Sequence, residues 1–261
     1  MQLSDEINNR MATDNLAKQL SCSWFIPGGT ADPTAEQIFQ EIDAQGQSFF
    51  DASGDDDAYT GLISFPGDSP NITQVGGTTL QTGSGGSYSS ETVWNWDVEY
   101  YPNDDGRGSG GGYSTQYEPP SYQQGVDLTA YRSTPDVALT ADHCLVYADG
   151  QNLTDRGGTS FAAPLWAGFT ALVNQQIVED YGAGSVGFIN PAVYAIGANP
   201  SRYSNDFHDV ETGNNEWSGS PNQFTATAGY DLCTGWGSPN GQSLVNDLAN
   251  TPVWTGNVQV N

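Results

Sequence analysis

The residues best suited to chemistry lie in segment 157–164, which reads Gly-Gly-Thr-Ser-Phe-Ala-Ala-Pro and leads into an apolar stretch. The apolar residues predict a helix, so Ser160 would lie at its amino terminus. Unpaired backbone N–H groups and the positive end of the helix dipole can stabilise an anion there, as acyl transfer requires. Ser160 is therefore a candidate nucleophile. The alternative interpretation is an ordinary Thr/Ser cap before a buried helix.

The two histidines, His143 and His208, do not offer an evident general base for this serine. His143 precedes the apolar run 145–147, which is typical of a strand edge, and His208 lies in the acidic segment 206–209. A serine nucleophile, its base and the group that orients the base must converge in space. No second acidic site is evident for either histidine, so the sequence favours another kind of base.

The composition is strongly acidic and restricts both the base and the partners. The chain has 31 Asp and Glu residues against six Lys and Arg, which gives a net charge of −25 and a sequence pI near 4.1. Nucleic acids and anionic membranes need basic patches, so neither is expected as a partner. At acidic pH a histidine stays protonated, whereas a carboxylate with a pKa of about 4 still titrates. The same charge also fits a halophilic or merely soluble extracellular protein.

The predicted scaffold is a single α/β domain spanning residues 1–261, because 261 residues that are 36% hydrophobic can bury one sizeable core. Helices alternate with short apolar strands, which predicts a mainly parallel sheet with helices on both faces. The glycine-rich stretches 83–90 and 102–114 predict surface loops. The predicted helices span residues 34–45, 161–177 and 240–248, and the predicted strands span residues 19–24, 49–53, 72–75, 136–139 and 145–147.

Several passages in order along nearly the whole chain carry a family resemblance. They span residues 52–55, 69–78, 91–95, 110–114, 134–137, 157–164, 229–231 and 234–239. Together they resemble the sedolisins, serine-carboxyl peptidases whose fold is similar to that of subtilisin. The resemblance implies endopeptidase activity at acidic pH, with a glutamate and an aspartate in place of the usual histidine and its partner.

The resemblance implies that Ser160 is the nucleophile and that Asp55 stabilises the oxyanion. The apolar run 47–53 predicts a buried strand that ends at Gly54, so Asp55 would emerge at the sheet edge where ligands bind. Only a protonated carboxyl group can donate a hydrogen bond, and repulsion from Asp56 and Asp57 would favour that state. The alternative is that these three aspartates form a solvated acidic turn.

The acid pair of the family is missing from this chain. The family has Glu-x-x-x-Asp on one helix face, and none of the nine glutamates here has an aspartate four residues later. Residues 1–24 resemble the helix and strand that follow the acid pair, so we expect the pair upstream of Met1. The chain then corresponds to the carboxyl-terminal majority of a sedolisin domain, truncated at the amino end and inactive by itself.

Two polar stretches between residues 205 and 235 predict a calcium site. Calcium takes six or more oxygens from carboxylates and backbone carbonyls, and the resemblance implies that both stretches build one site. The alternative is a pair of Asx turns without an ion. The implied ligands are the carboxylates of Asp209 and Asp231 and the carbonyl oxygens of Val210, Thr227 and Gly229.

The resemblance also places substrate-cleft residues. Ser23 stands in a cleft-lining position where relatives usually have glycine, and Gly110, Gly111 and Gly112 lie where a peptide could approach the backbone. Three cysteines, Cys22, Cys144 and Cys233, allow one disulfide and leave one thiol over.

The expected partners are a protein or peptide substrate and an amino-terminal prosegment, and the protein is expected to be a secreted monomer. The sequence shows no signal peptide, so secretion is inferred from the family and the acidity. An esterase that uses the same serine is another interpretation. The non-enzymatic alternative is a calcium-stabilised binding or structural remnant of the same fold.

Overall fold

A computed structural model describes residues 3–96, 107–126 and 129–250. The predicted α/β organisation is confirmed. The helices are α1 (Leu3–Asp14), α2 (Pro33–Ala44), α3 (Thr159–Tyr181), α4 (Asn190–Gly197), α5 (Pro200–Asp206) and α6 (Gly241–Asn250). The strands are β1 (Gln19–Cys22), β2 (Ser48–Ala52), β3 (Asp56–Tyr59), β4 (Thr73–Thr82), β5 (Tyr88–Val93), β6 (Gly108–Tyr113), β7 (Ser133–Thr134), β8 (Val137–Thr140), β9 (Cys144–Ala148), β10 (Gln151–Arg156), β11 (Phe207–His208) and β12 (Ser238–Pro239).

The main sheet has four parallel strands in the order β1, β2, β4 and β8, and β5 pairs antiparallel with the second half of β4. Phe49 and Phe50 show how both faces are covered, since adjacent strand residues point to opposite faces. Phe49 packs against Phe39 of α2, with ring centroids 5.1 Å apart. Phe50 stacks on Trp166 of α3, with centroids 6.5 Å apart. Helices therefore bury both faces of β2.

Local sequence explains where α2 begins and which side it buries. The side chain of Asp32 caps the helix by accepting from the N–H groups of Thr34 and Ala35, and Pro33 follows at the first helical position. Its buried side chains recur at helical spacing, and they include Ile38, Phe39 and Ile42. The predicted helix 34–45 is therefore confirmed within one residue at each end.

The glycine-rich stretch 102–114 differs from the prediction of a surface loop. Its residues 102–106 lie outside the described residues, but β6 occupies Gly108–Tyr113 in a second small sheet with β3 and β7. Likewise, the stretch 83–90 contains a short 3₁₀ turn, Ser84–Gly86, and the start of β5. Runs of glycine are typical of loops, whereas in β6 glycine permits a close approach of backbones.

The remaining elements lie around the central layers. β9 and β10 form a two-stranded antiparallel hairpin between β8 and α3, and β11 pairs with β12. Three cysteines allow one disulfide, but in this structure Cys22, Cys144 and Cys233 are all free. Among the described residues, no helix combines the length and the apolar character that crossing a membrane requires.

Candidate active site

Ser160 lies in the first turn of α3, as the sequence predicts. The helix begins at Thr159, two residues earlier than predicted, and Gly158 precedes it with φ of +133°, a conformation that favours glycine. The Ser160 side chain is exposed, and within the described chain no group is hydrogen-bonded to its hydroxyl. Its hydroxyl is therefore exposed. The capping residue is Gly158 and no side chain caps the helix, so the interpretation of this segment as a Thr/Ser cap does not hold.

Asp55 lies directly beside residues 157–160 (the nucleophile segment), which contain the candidate nucleophile Ser160. Its Oδ1 accepts hydrogen bonds from the backbone N–H and from the hydroxyl of Thr159, both at 2.8 Å. A Cβ at residue 158 would lie 2.8 Å from the other oxygen, Oδ2, so that oxygen faces the turn before Ser160. The structure therefore brings the two predicted catalytic residues to one place, with Thr159 as the direct link.

The Thr159 side chain couples this segment to the end of β2. Its hydroxyl is fully buried, donates to Asp55 and accepts a hydrogen bond from the Gly54 N–H at 3.1 Å. The main-chain turn at residues 54–55 and the start of α3 are thus joined by three hydrogen bonds. Sequence reasoning assigned no role to Thr159, because its position in the Gly-Gly-Thr-Ser motif gives no sign of its distant partners.

Burial raises the pKa of the Asp55 carboxyl, although the hydrogen bonds from Thr159 oppose the shift. The direction agrees with the expectation of a protonated donor, but the cause differs, since desolvation rather than repulsion by neighbouring aspartates is responsible. The interpretation of residues 55–57 as a solvated turn is wrong for Asp57, which is fully buried in β3, whereas Asp56 is exposed.

The opposite side of the nucleophile segment is supported by the end of β8. The Gly158 N–H donates to the Ala141 carbonyl at 2.8 Å. The indole of Trp96 packs against Gly157, where a Cβ would come within 2.6 Å of the ring. Asp142 accepts a hydrogen bond from the Trp96 indole N–H at 2.7 Å, which holds the ring in place. The segment before Ser160 is therefore fixed between Asp55 on one side and Trp96 on the other. No local pattern in the sequence predicts these roles of Trp96 and Asp142.

The two histidines occupy positions that fit the expectation against a histidine base. His143 directly precedes β9 with its Nε2 3.9 Å from Asp142 Oδ1. His208 lies in β11 and stacks on Tyr88 with ring centroids 3.7 Å apart. Burial lowers the pKa of His208. In the described ranges, neither imidazole is hydrogen-bonded to Ser160, and no carboxylate is either.

Two of the predicted calcium ligands, Asp209 and Asp231, each contact the segment 227–229. Asp209 Oδ2 accepts from the Gly229 N–H at 2.8 Å, and Asp231 Oδ2 accepts from the Thr227 N–H at 3.0 Å. The described residues contain no cluster of three or more Asp, Glu, His or Cys side chains suited to a metal. The predicted ligands are all oxygens, the donor type that calcium takes, and the calcium site stays a prediction.

The structure places the predicted cleft glycines in the interior. Gly110, Gly111 and Gly112 are all buried in β6. A Cβ would collide with the Ser53 carbonyl at residue 110, the Leu232 carbonyl at residue 111 and the Tyr59 carbonyl at residue 112. The chain's own backbone therefore occupies the space that was expected for a peptide, and close strand packing explains these glycines. Their substrate-binding role stays a prediction.

Ser23 directly follows β1, whose last residue, Cys22, pairs in register with Asp51 of β2. The carboxyl ends of parallel strands share one edge of the sheet, so Ser23 lies on the same edge as Asp55. Its side chain is half-buried. This placement is compatible with the predicted cleft position, which stays a prediction.

Comparison with known proteins agrees with this geometry. A family model described as the subtilase family matches residues 7–183. Sedolisin from Pseudomonas sp. (strain 101) is 38% identical over 251 residues, which covers 88% of this chain and 40% of that protein. Kumamolisin from Bacillus sp. (strain MN-32) is 34% identical over 250 residues, covering 88% of this chain and 42% of that protein.

A solved structure of Pseudomonas sedolisin, a serine-carboxyl proteinase complexed with two molecules of pseudo-iodotyrostatin, superposes with a TM-score of 0.78. It is 34% identical, and the match covers 94% of this chain and 68% of that chain. Measured against the curated relatives sedolisin and kumamolisin, this chain spans about two fifths of their length.

Proposed function

Since this chain belongs to the subtilase family and is similar to the sedolisins through most of its length, we propose that it carries the nucleophile and the oxyanion site of a serine-type endopeptidase that works at acidic pH. The observation that supports this proposal is the contact of Asp55 with Thr159 and Gly158, immediately before the exposed Ser160. It places a carboxyl group of raised pKa beside a serine at a helix amino terminus.

In the proposed reaction the Ser160 hydroxyl attacks the peptide carbonyl carbon, and its proton passes to a general base. The carbonyl oxygen becomes an oxyanion, to which protonated Asp55 donates a hydrogen bond. The Ser160 N–H in the first turn of α3 would add to this stabilisation, because the Thr159 N–H already donates to Asp55 and the Phe161 N–H to Gly158. Asp55 has to be protonated for this role, so activity should fall as the pH rises through its pKa.

The proposed base is a glutamate oriented by an aspartate, both supplied by residues outside this chain. The support is twofold: the sequence contains no Glu-x-x-x-Asp pair, and no described carboxylate is hydrogen-bonded to Ser160. Without a base the serine is a weak nucleophile. The isolated chain is therefore expected to bind peptides but to hydrolyse them slowly or not at all.

Calcium is the proposed structural ion. Asp209 and Asp231 would supply carboxylate oxygens, and Val210, Thr227 and Gly229 would supply carbonyl oxygens. When bound, the cation would neutralise the carboxylates and hold residues 209–210 against residues 227–231. We also propose that the protein is secreted and monomeric. Its proposed partners are a peptide substrate and an inhibitory amino-terminal prosegment.

The same absence of a hydrogen-bonded base on Ser160 favours a second candidate, a catalytically inactive binding or structural module stabilised by calcium. The two candidates differ in how they depend on a general base for Ser160. The enzyme needs a carboxylate next to Ser160, whereas the module would keep its peptide binding without one.

The deciding experiment measures peptide hydrolysis between pH 3 and pH 7 by the 261-residue chain and by the natural gene product that contains it. We expect activity at acidic pH from a product that includes a Glu-x-x-x-Asp helix, and loss of that activity in Ser160→Ala. Asp55→Asn should move the alkaline limit of activity upward, because an amide donates a hydrogen bond at every pH. Inactivity of a product that includes the acid pair would favour the binding module. Ester substrates assayed in parallel separate a peptidase from an esterase.

A further inference from the structure

The β9–β10 hairpin carries a feature that the proposed peptidase chemistry does not use. The tripeptide Asn-X-Ser/Thr, with X other than Pro, occurs at two places in the sequence, residues 71–73 and residues 152–154. This tripeptide accepts N-linked glycans in secreted proteins when it lies at the surface. The structure separates the two sites by accessibility.

The tripeptide at residues 71–73 is closed to modification in the folded protein. Asn71 donates its side-chain N–H to Glu36 Oε2 at 2.6 Å, so the nitrogen that would carry the glycan is already engaged. Thr73 is fully buried in β4, where its hydroxyl donates to Asn190 Oδ1 at 2.7 Å. A glycan here would displace a buried network, and a transferase could not reach the threonine.

The tripeptide at residues 152–154 lies on the exposed hairpin. Asn152 is exposed in β10, and its side chain forms no hydrogen bond within the described chain. The hairpin turns at Asp149 and Gly150, which have φ of +51° and +77°. Pairing with β9 shifts between Leu153 and Arg156, immediately after the acceptor. A two-stranded ribbon with an interrupted register opens easily, so a transferase can bind the tripeptide in an extended conformation.

Tyr147 provides a neighbour for the first sugar. It pairs with Asn152 across the hairpin, so the two side chains lie on one face of the ribbon. Its side chain is 73% exposed. An aromatic ring beside the acceptor can pack against the apolar C–H face of a sugar, which would cover this exposed surface.

We propose that Asn152 is an N-glycosylation site and that the glycan lies over Tyr147 on the β9–β10 hairpin. The reaction uses a glycan joined to a lipid phosphate or diphosphate, and a glycosyltransferase. The Asn152 amide nitrogen forms a bond to C1 of the first sugar and loses one proton to a base of the glycosyltransferase. The bond from C1 to the phosphate oxygen breaks, and the lipid phosphate leaves with the bonding electrons. In the cell the modification depends on the proposed secretion, and it is independent of Ser160 chemistry.

The test uses the folded 261-residue chain, made in cells that do not glycosylate. The chain is incubated with a purified oligosaccharyltransferase and a lipid-linked oligosaccharide, and the product is mapped by peptide mass spectrometry. A synthetic peptide of residues 148–156 serves as the unfolded acceptor. We expect one glycan on Asn152, no glycan on Asn71, and no product from Asn152→Gln or Thr154→Ala.

Gly85→Asn provides a matched accessible site. It creates Asn-Gly-Ser at residues 85–87 in a turn where nothing lies within 4 Å of a Cβ, and the φ of +74° there is one that asparagine tolerates. A glycan on residue 85 of that variant without one on Asn152 would overturn the proposal. Modification of the synthetic peptide but not of the folded chain, failure of the peptide itself, or a glycan on Asn71 would overturn it as well.

Discussion

The hydrogen bonds of Thr159 allow the proposed site to be tested by stability alone, without catalysis. Thr159→Val keeps the branched shape at Cβ but removes the buried hydroxyl that donates to Asp55 at 2.8 Å and accepts from Gly54 at 3.1 Å. A hydrogen bond to a charged group contributes about 1.5–3 kcal/mol and a neutral one about 0.5–1.5 kcal/mol. Because the half-buried Gly54 N–H would also lose its partner, we expect a loss of about 2–4 kcal/mol in the free energy of unfolding.

Thr170→Val is the matched control in the same helix. Thr170 is also fully buried, but its hydroxyl donates only to the Trp166 carbonyl, one turn back. That carbonyl keeps its helical hydrogen bond when the hydroxyl is removed, so the expected loss is about 1 kcal/mol or less. Both variants are compared with the parent chain by urea denaturation at pH 6, followed by circular dichroism.

Hydrogen exchange adds a second measurement to this comparison. In Thr159→Val the Gly54 amide should exchange faster than in the parent chain, whereas Thr170→Val should leave it unchanged. An equal loss of stability in the two variants, with Gly54 still protected, would show that Thr159 does not couple the end of β2 to α3.

Three further outcomes follow from the structure. Burial raises the pKa of Asp51 to about 7, above its unfolded value, so this carboxyl supports folding below about pH 4 and loses that contribution as the pH rises through 7. Asp51→Asn should therefore raise the free energy of unfolding by roughly 1–3 kcal/mol at pH 7 and by little at pH 4. Urea denaturation at both pH values measures this difference, and an equal gain at the two pH values would contradict the prediction. Millimolar calcium should raise the melting temperature by mass action, whereas Asp209→Asn should abolish the rise and the exposed Asp14→Asn should not; a rise retained in Asp209→Asn would count against the site. Ser160→Ala should change the free energy of unfolding by less than about 0.5 kcal/mol, because its exposed hydroxyl has no partner among the described residues, and a larger loss would mean that the hydroxyl has a structural role.

The position of Asp55 could be predicted from sequence because one local rule decides it. The apolar run before Gly54 reads as a buried strand, β2 is that strand, and a residue that follows a parallel strand must lie at the ligand-binding edge. The start of α3 is similarly local, since glycines before an apolar run mark a helix boundary. Patterns within a dozen residues therefore predict where both residues lie, whereas the role of Asp55 is what the family resemblance implies.

The residues that hold the nucleophile segment in place could not be predicted, because their roles depend on contacts between distant segments of the chain. Trp96 and Asp142 are 46 positions apart, and their hydrogen bond exists only once β8 lies beside β4. The glycines of β6 form a strand and not a loop for a related reason. Strand propensity argues against glycine, but the neighbouring backbones leave no room for a Cβ at residue 110, so packing outweighs propensity there.

The contacts of the nucleophile segment explain why folding and catalysis can be separated in this chain. Asp55 follows β2, Ala141 follows β8, and both bind the turn before Ser160 through hydrogen bonds of 2.8 Å. Parallel strands present their carboxyl ends at one edge, so the sheet itself delivers these supports. None of them requires a base next to the serine, whose hydroxyl remains exposed. The isolated chain should therefore fold with its nucleophile in place and still fail to hydrolyse peptides, and adding a carboxylate at that exposed side should change the rate far more than the stability.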